Sequence, residues 1–238
     1  MDKILIFGCS WSHGSHEALS PNDKQYKKGE IEEWWKNDSK GWYHYVDYFK
    51  NKNVTVIPTP GHGYWAWYQL LLMMDKTNKL NYDEIWIQES LEPRVTLMNL
   101  KAIELRWNRP DNIEIVDDIK RRILLSFGKA DNHLWELQCT HSGYGFLENI
   151  TLSIADLFQK FCIEKNINGY VWAMRRPIMN CTKFTRLTFP INSDCLHTEL
   201  DDKNLHAISL GHQTEEGNKY IGKLINEEIR KMERSLEK

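Results

Sequence analysis

A serine hydroxyl becomes a nucleophile only when a base takes its proton, and acyl transfer also needs N–H donors aimed at the oxyanion that forms. This chain carries such parts at opposite ends. The run Lys3 to Phe7 breaks into Gly8-Cys9-Ser10-Trp11-Ser12-His13-Gly14. A β-branched and aromatic stretch ending in Gly-x-Ser predicts a buried strand that delivers the Ser10 hydroxyl into the loop at its carboxyl end, where chemistry sits in open α/β sheets. Far downstream, Leu210-Gly211-His212-Gln213-Thr214-Glu215-Glu216-Gly217 puts His212 in a loop directly before a helix, from which it can face strand ends as a general base. A Gly-x-Ser turn or a loop histidine alone is an ordinary surface feature; the pairing of the two points to chemistry.

Positioning these groups requires a sheet and helices, and the hydropathy pattern supplies both. After the first strand, Ser15 to Lys40 is polar and aperiodic and reads as a loop or lid. Gly41 to Lys52 has helical spacing, Val54 to Ile57 is a short strand, and Pro58-Thr59-Pro60-Gly61-His62-Gly63 follows as a glycine loop. Tyr64 to Met74 predicts a buried helix and Glu84 to Gln88 a third strand. Val95 to Thr140 is mixed and charge-clustered and reads as helices of an inserted cap, residues 95–140. Leu147 to Phe161 gives a helix face, Tyr170 to Met174 a fourth strand, and Thr214 caps a last helix with Glu215 and Glu216 in its first turn. Strands alternating with helices define an α/β protein, here expected as one domain over residues 1–238.

Composition narrows the function classes. Lys plus Arg is 31 and Asp plus Glu 33, a net charge of −2, too balanced for a nucleic-acid or membrane-surface footprint. No apolar stretch reaches the length of a membrane span, and no basic segment with an apolar core follows Met1. The five cysteines are widely spaced without a Cys-x-x-Cys pair, which argues against a disulfide framework or a structural zinc. A soluble, cytoplasmic protein is expected, with neither cofactor nor metal. No Gly-x-Gly-x-x-Gly and no P-loop follows the first strand, so nucleotide binding lacks its usual phosphate cradle. The ten tryptophans are expected mainly in the core, with any remainder able to stack on apolar sugar faces.

These stretches resemble the SGNH (GDSL-type) hydrolase family. Phe7 to Gly14 is similar to the family's Gly-Asp-Ser-Leu block, with Ser10 at the nucleophile and Cys9 in place of Asp. Pro60-Gly61-His62-Gly63 resembles the second block, which implies an oxyanion-hole N–H from Gly61 or, as second choice, Gly63. Gln88-Glu89-Ser90 stands where the family has Gly-x-Asn-Asp, which implies a side-chain donor from Gln88 or Ser90. His212 to Gly217 resembles the His-Pro-x-x-x-Gly lead into the last helix, with Gln213 in place of Pro. The family's acid three residues before the histidine is Ser209 here. Asp202 is the alternative orienting carboxylate; His206 with Asp202, and Asp194-Cys195-Leu196-His197, are competing alignments.

The resemblance implies a three-layer sandwich with a mainly parallel, flavodoxin-like sheet. It further implies a serine esterase acting on a small-molecule or glycan ester, for which the aromatic-rich loops favour carbohydrate O-acetyl groups. An O-acyltransferase using the same Ser and His, and an inactive binding module on the same scaffold, are the alternatives.

Overall fold

The structure, a computed structural model, describes residues 2–8, 40–58, 63–89, 97–98, 113–115, 122–123, 141–174, 183–207 and 212–237. Three strands near the start carry the centre of the sheet: β1 (Lys3–Gly8), β2 (Asn53–Pro58) and β3 (Glu84–Glu89). The short strands β4 (Leu97–Met98), β5 (Ile113–Ile115) and β6 (Arg122–Ile123) follow. Then come β7 (Asn168–Ala173), β8 (Thr185–Arg186), β9 (His206–Ala207) and β10 (His212–Gln213). Six of these form one sheet in the order β5-β2-β1-β3-β7-β8, every neighbouring pair parallel.

Strands covered on both faces must be apolar throughout, which is why β1 reads as an unbroken hydrophobic run. Alternate side chains go to opposite faces. Ile4, Ile6, Val54, Val56, Trp86 and Trp172 join one buried cluster, while Leu5, Phe7, Ile57, Ile85, Ile87 and Val171 join the other. The first cluster is closed by two 3-10 turns, Trp42–Tyr45 and Asp47–Phe49, and by the long helix near the carboxyl end, Glu215–Leu236. The second is closed by α1 (Tyr64–Lys76) and α2 (His141–Glu164), which pack on each other. The short helix Leu196–Asp202 is α3 and the long one α4. The protein is thus an α/β fold with a parallel sheet between two helical layers. Trp42, Trp67, Trp86 and Trp172 are fully buried, the core role expected of most tryptophans.

Three helices stop by one device. Asn78, Asn166 and Asn204 adopt left-handed φ values of 55°, 56° and 54°, just past the ends of α1, α2 and α3. Asparagine tolerates this region better than other side-chain-bearing residues, and the next amides reach back to orphaned helix carbonyls. Leu205 N donates to Leu200 O at 2.8 Å in this way, so α3 runs straight into β9.

Two expectations are corrected. Residues 41–52 form no α-helix: Val46, with φ −93° and ψ 112°, is extended and splits the segment into the two 3-10 turns. Buried Trp42, Tyr43 and Phe49 satisfy a spacing of three as well as one of 3.6. In the stretch 95–140 read as a helical cap, the described residues are strands: β4 pairs with β6, and β5 extends the main sheet beside β2. The lid at 15–40, apart from Lys40, and the rest of 95–140 lie outside the described residues.

Candidate active site

Strand β1 lies between β2 and β3, so the chain leaves β1 in one direction along the sheet and returns past it to build β3 and β7. In open α/β sheets ligands bind beyond the carboxyl ends of the strands at such a reversal, here those of β1 and β3. The register Phe7↔Ile87 sets Gly8, the last residue of β1, beside Gln88. Gln88 in turn pairs with Trp172 on β7. Gln88 is fully buried, on the same face as Trp86 and Trp172. Ser10 follows Gly8 by two residues in sequence; Ser10, Gly61 and Ser90 lie outside the described residues.

Helix α1 begins at Tyr64 after buried Gly63. The Gly63 carbonyl accepts the amides of Ala66 at 3.0 Å and Trp67 at 3.2 Å, so Gly63 is the N-cap of α1. Tyr64 reaches β3: its phenol donates to Glu89 Oε1 at 3.1 Å, in the buried interior. The other Glu89 oxygen lies 3.5 Å from an Arg186 guanidinium nitrogen on β8. Glu89 is wholly buried. A carboxyl group in such a place needs partners, and Tyr64 hydrogen-bonds one oxygen while Arg186 faces the other. Sequence reasoning passed over Glu89; the signal was an acidic residue ending the otherwise apolar strand Ile85-Trp86-Ile87.

His212 does not stand in a free loop, as expected, but in the two-residue strand β10, antiparallel to β9, where it pairs with Ala207 and Gln213 pairs with His206. Both candidate histidines therefore belong to one small ladder at the entrance to α4. Thr214 closes that ladder. Its hydroxyl donates to Leu205 O at 3.0 Å and accepts the Gly217 amide at 3.2 Å, the N-cap the sequence predicted. Gln213 and Asn218 are completely buried behind it.

Asp202, the expected orienting group for His212, is exposed at the end of α3 and accepts the Ser193 hydroxyl at 2.7 Å. Asp194 and His197 do not pair as their spacing suggests. His197 Nδ1 lies instead 3.1 Å from Asp201 Oδ2, one helical turn on, while the His197 amide donates to Met174 O just past the end of β7, at 2.8 Å. Among the described residues no group of three or more His, Cys, Asp or Glu is arranged to hold a metal ion. No described helix is long and apolar enough to cross a membrane. Compared with models of known protein families and with curated proteins, the sequence matches none.

Proposed function

We propose that the chain is a serine hydrolase of SGNH type that cleaves an ester, with carbohydrate O-acetyl groups as the first substrate class. Ser10 Oγ attacks the carbonyl carbon and passes its proton to His212. The oxyanion is held by the Ser10 and Gly61 amides and by the Gln88 or Ser90 side chain, with Gly63 as the alternative backbone donor. The tetrahedral adduct collapses, the C–O bond to the alcohol breaks, and His212 returns the proton to the leaving oxygen. Water then attacks the acyl-serine, giving its proton to His212, and the acid leaves as Ser10 is regenerated.

The observation that carries this reading is the strand order: β1 ends beside Gln88 at the switch point of the sheet, and Cys9 and Ser10 follow it in sequence. Turnover of p-nitrophenyl acetate and labelling by a fluorophosphonate probe, each compared with Ser10→Ala, test it. The wild type should turn over and label while Ser10→Ala does neither. A second reading, an inactive binding module, is favoured by the exposed, Ser193-bonded Asp202 and by serine at position 209. A wild type that neither labels nor turns over ester would support it.

A further inference from the structure

The two described residues proposed for the oxyanion hole, Gly63 before α1 and Gln88 on β3, come from different elements and have no covalent reason to keep their spacing. A hydrogen bond joins the residues next to them. Tyr64, adjacent to Gly63, donates to Glu89, adjacent to both Gln88 and Ser90, at 3.1 Å. The acceptor is completely buried, so little water competes for it.

We propose that Tyr64 and Glu89 are positioning residues that set the spacing between the two arms of the oxyanion hole, an inference that rests on the serine-hydrolase reading. An Arg186 guanidinium nitrogen stands 3.5 Å from the other Glu89 oxygen, on the side away from Tyr64. The cross-strand neighbour of Glu89 on β7 is the small Ala173, so the Arg186 side chain can lean from β8 over β7 to the carboxylate. Both flanking segments move if the phenol lets go, because Gly63 is the N-cap of the helix that Tyr64 begins. The loss falls on transition-state stabilisation, since oxyanion donors act on the charge that develops during attack rather than on the bound ester.

The test compares Tyr64→Phe, Glu89→Gln and Glu89→Leu with the wild type, reading kcat and KM for p-nitrophenyl acetate, the rate of fluorophosphonate labelling, and the thermal midpoint. Tyr64→Phe keeps the ring and its packing but loses the donor. A misplacement of the donors by about 1 Å lowers kcat roughly 10- to 100-fold, with KM within about twofold. Glu89→Gln retains an acceptor oxygen for Tyr64 and should recover part of what Glu89→Leu loses. A Tyr64→Phe variant with wild-type kcat and labelling rate, while Ser10-dependent labelling of the wild type persists, overturns the positioning role alone. A fall in kcat matched by an equal rise in KM, or one explained by a collapsed thermal midpoint in Tyr64→Phe, overturns it as well. Absence of Ser10-dependent labelling in the wild type removes the hydrolase reading and the positioning role together.

Discussion

Gln213 donates from Nε2 to Asn218 Oδ1 at 3.0 Å, with both side chains fully buried. Asn218 in turn donates from Nδ2 to the Lys40 carbonyl at 3.0 Å. One amide side chain thereby fastens the residue after His212 to the segment that enters the first 3-10 turn. Asn218→Ala should lower stability by about 1–3 kcal/mol, the cost of leaving buried polar partners unpaired. Urea unfolding measures this; a loss below about 0.5 kcal/mol would mean the clamp is dispensable.

The histidines separate by function. His212→Ala should lower ester turnover by about 10²- to 10⁴-fold, the scale of a lost general base. His197, paired with Asp201 one turn on in α3, should give less than about a threefold change on the same substitution, as a partly exposed ion pair would. The reverse ranking would move the base to the His197–Asp201 pair. Steady-state kinetics on the purified variants distinguishes the two.

Gly217, the glycine of the His212 to Gly217 stretch, has a packing reason to be glycine. A Cβ there would lie 2.5 Å from the Leu205 carbonyl oxygen and 2.8 Å from the Gln213 Cβ, so the backbone just before β9 and Gln213 of β10 approach α4 too closely for any side chain. Alanine improves helix propensity by about 1 kcal/mol, yet the clash involves backbone that cannot step aside. Gly217→Ala should therefore be net destabilising by about 1–3 kcal/mol. A stabilised variant would show that the Leu205 backbone is free to retreat.

Glu199 and Tyr220 define a pH window. Burial pushes the Glu199 carboxyl up, but hydrogen bonds from Tyr220, Ser193 and Lys203 outweigh it and hold the group below the ordinary carboxylate range. A depressed acid adds stability above its unfolded pKa and loses it as pH falls through the folded one. Tyr220 moves the other way: burial and its bond to Glu199 raise the phenol to about 12. That contribution is complete below the unfolded value and fades as pH climbs toward the folded one. Tyr220→Phe should flatten the stability profile at both ends, measured by denaturant unfolding from about pH 3 to about pH 11. An unchanged acid limb would assign the Glu199 shift to its other donors.

Legibility in the sequence followed locality. Strands β1, β2, β3 and β7 could be placed within two residues because each is an apolar run bounded by polar or turn residues. The Thr214 cap was equally plain, since a hydroxyl before two glutamates is a local signal. Non-local structure left no such trace. Strand β5 exists because Ile113 to Ile115 pair with Val54 to Val56, far back in the chain, and nothing in its own few residues announces that partner. The β9–β10 ladder that holds His212 is likewise a two-residue pairing between separate segments. At the candidate site the chemistry-bearing letters were visible and the connection between them was not: Glu89 was hidden in a block read only for its neighbours Gln88 and Ser90.

The central place of β1 also bears on how the chain is made. Strand Lys3–Gly8 ends up between β2 and β3, yet both partners are synthesised well after it. Ile4-Leu5-Ile6-Phe7 therefore leaves the ribosome with neither edge covered, and stays so until Asn53–Pro58 and then Glu84–Glu89 have emerged. An apolar strand awaiting distant partners is a template for pairing with other chains. Slower translation lengthens that exposure, so expression temperature and chaperone supply should govern the yield of folded protein more than the stability of the finished molecule does.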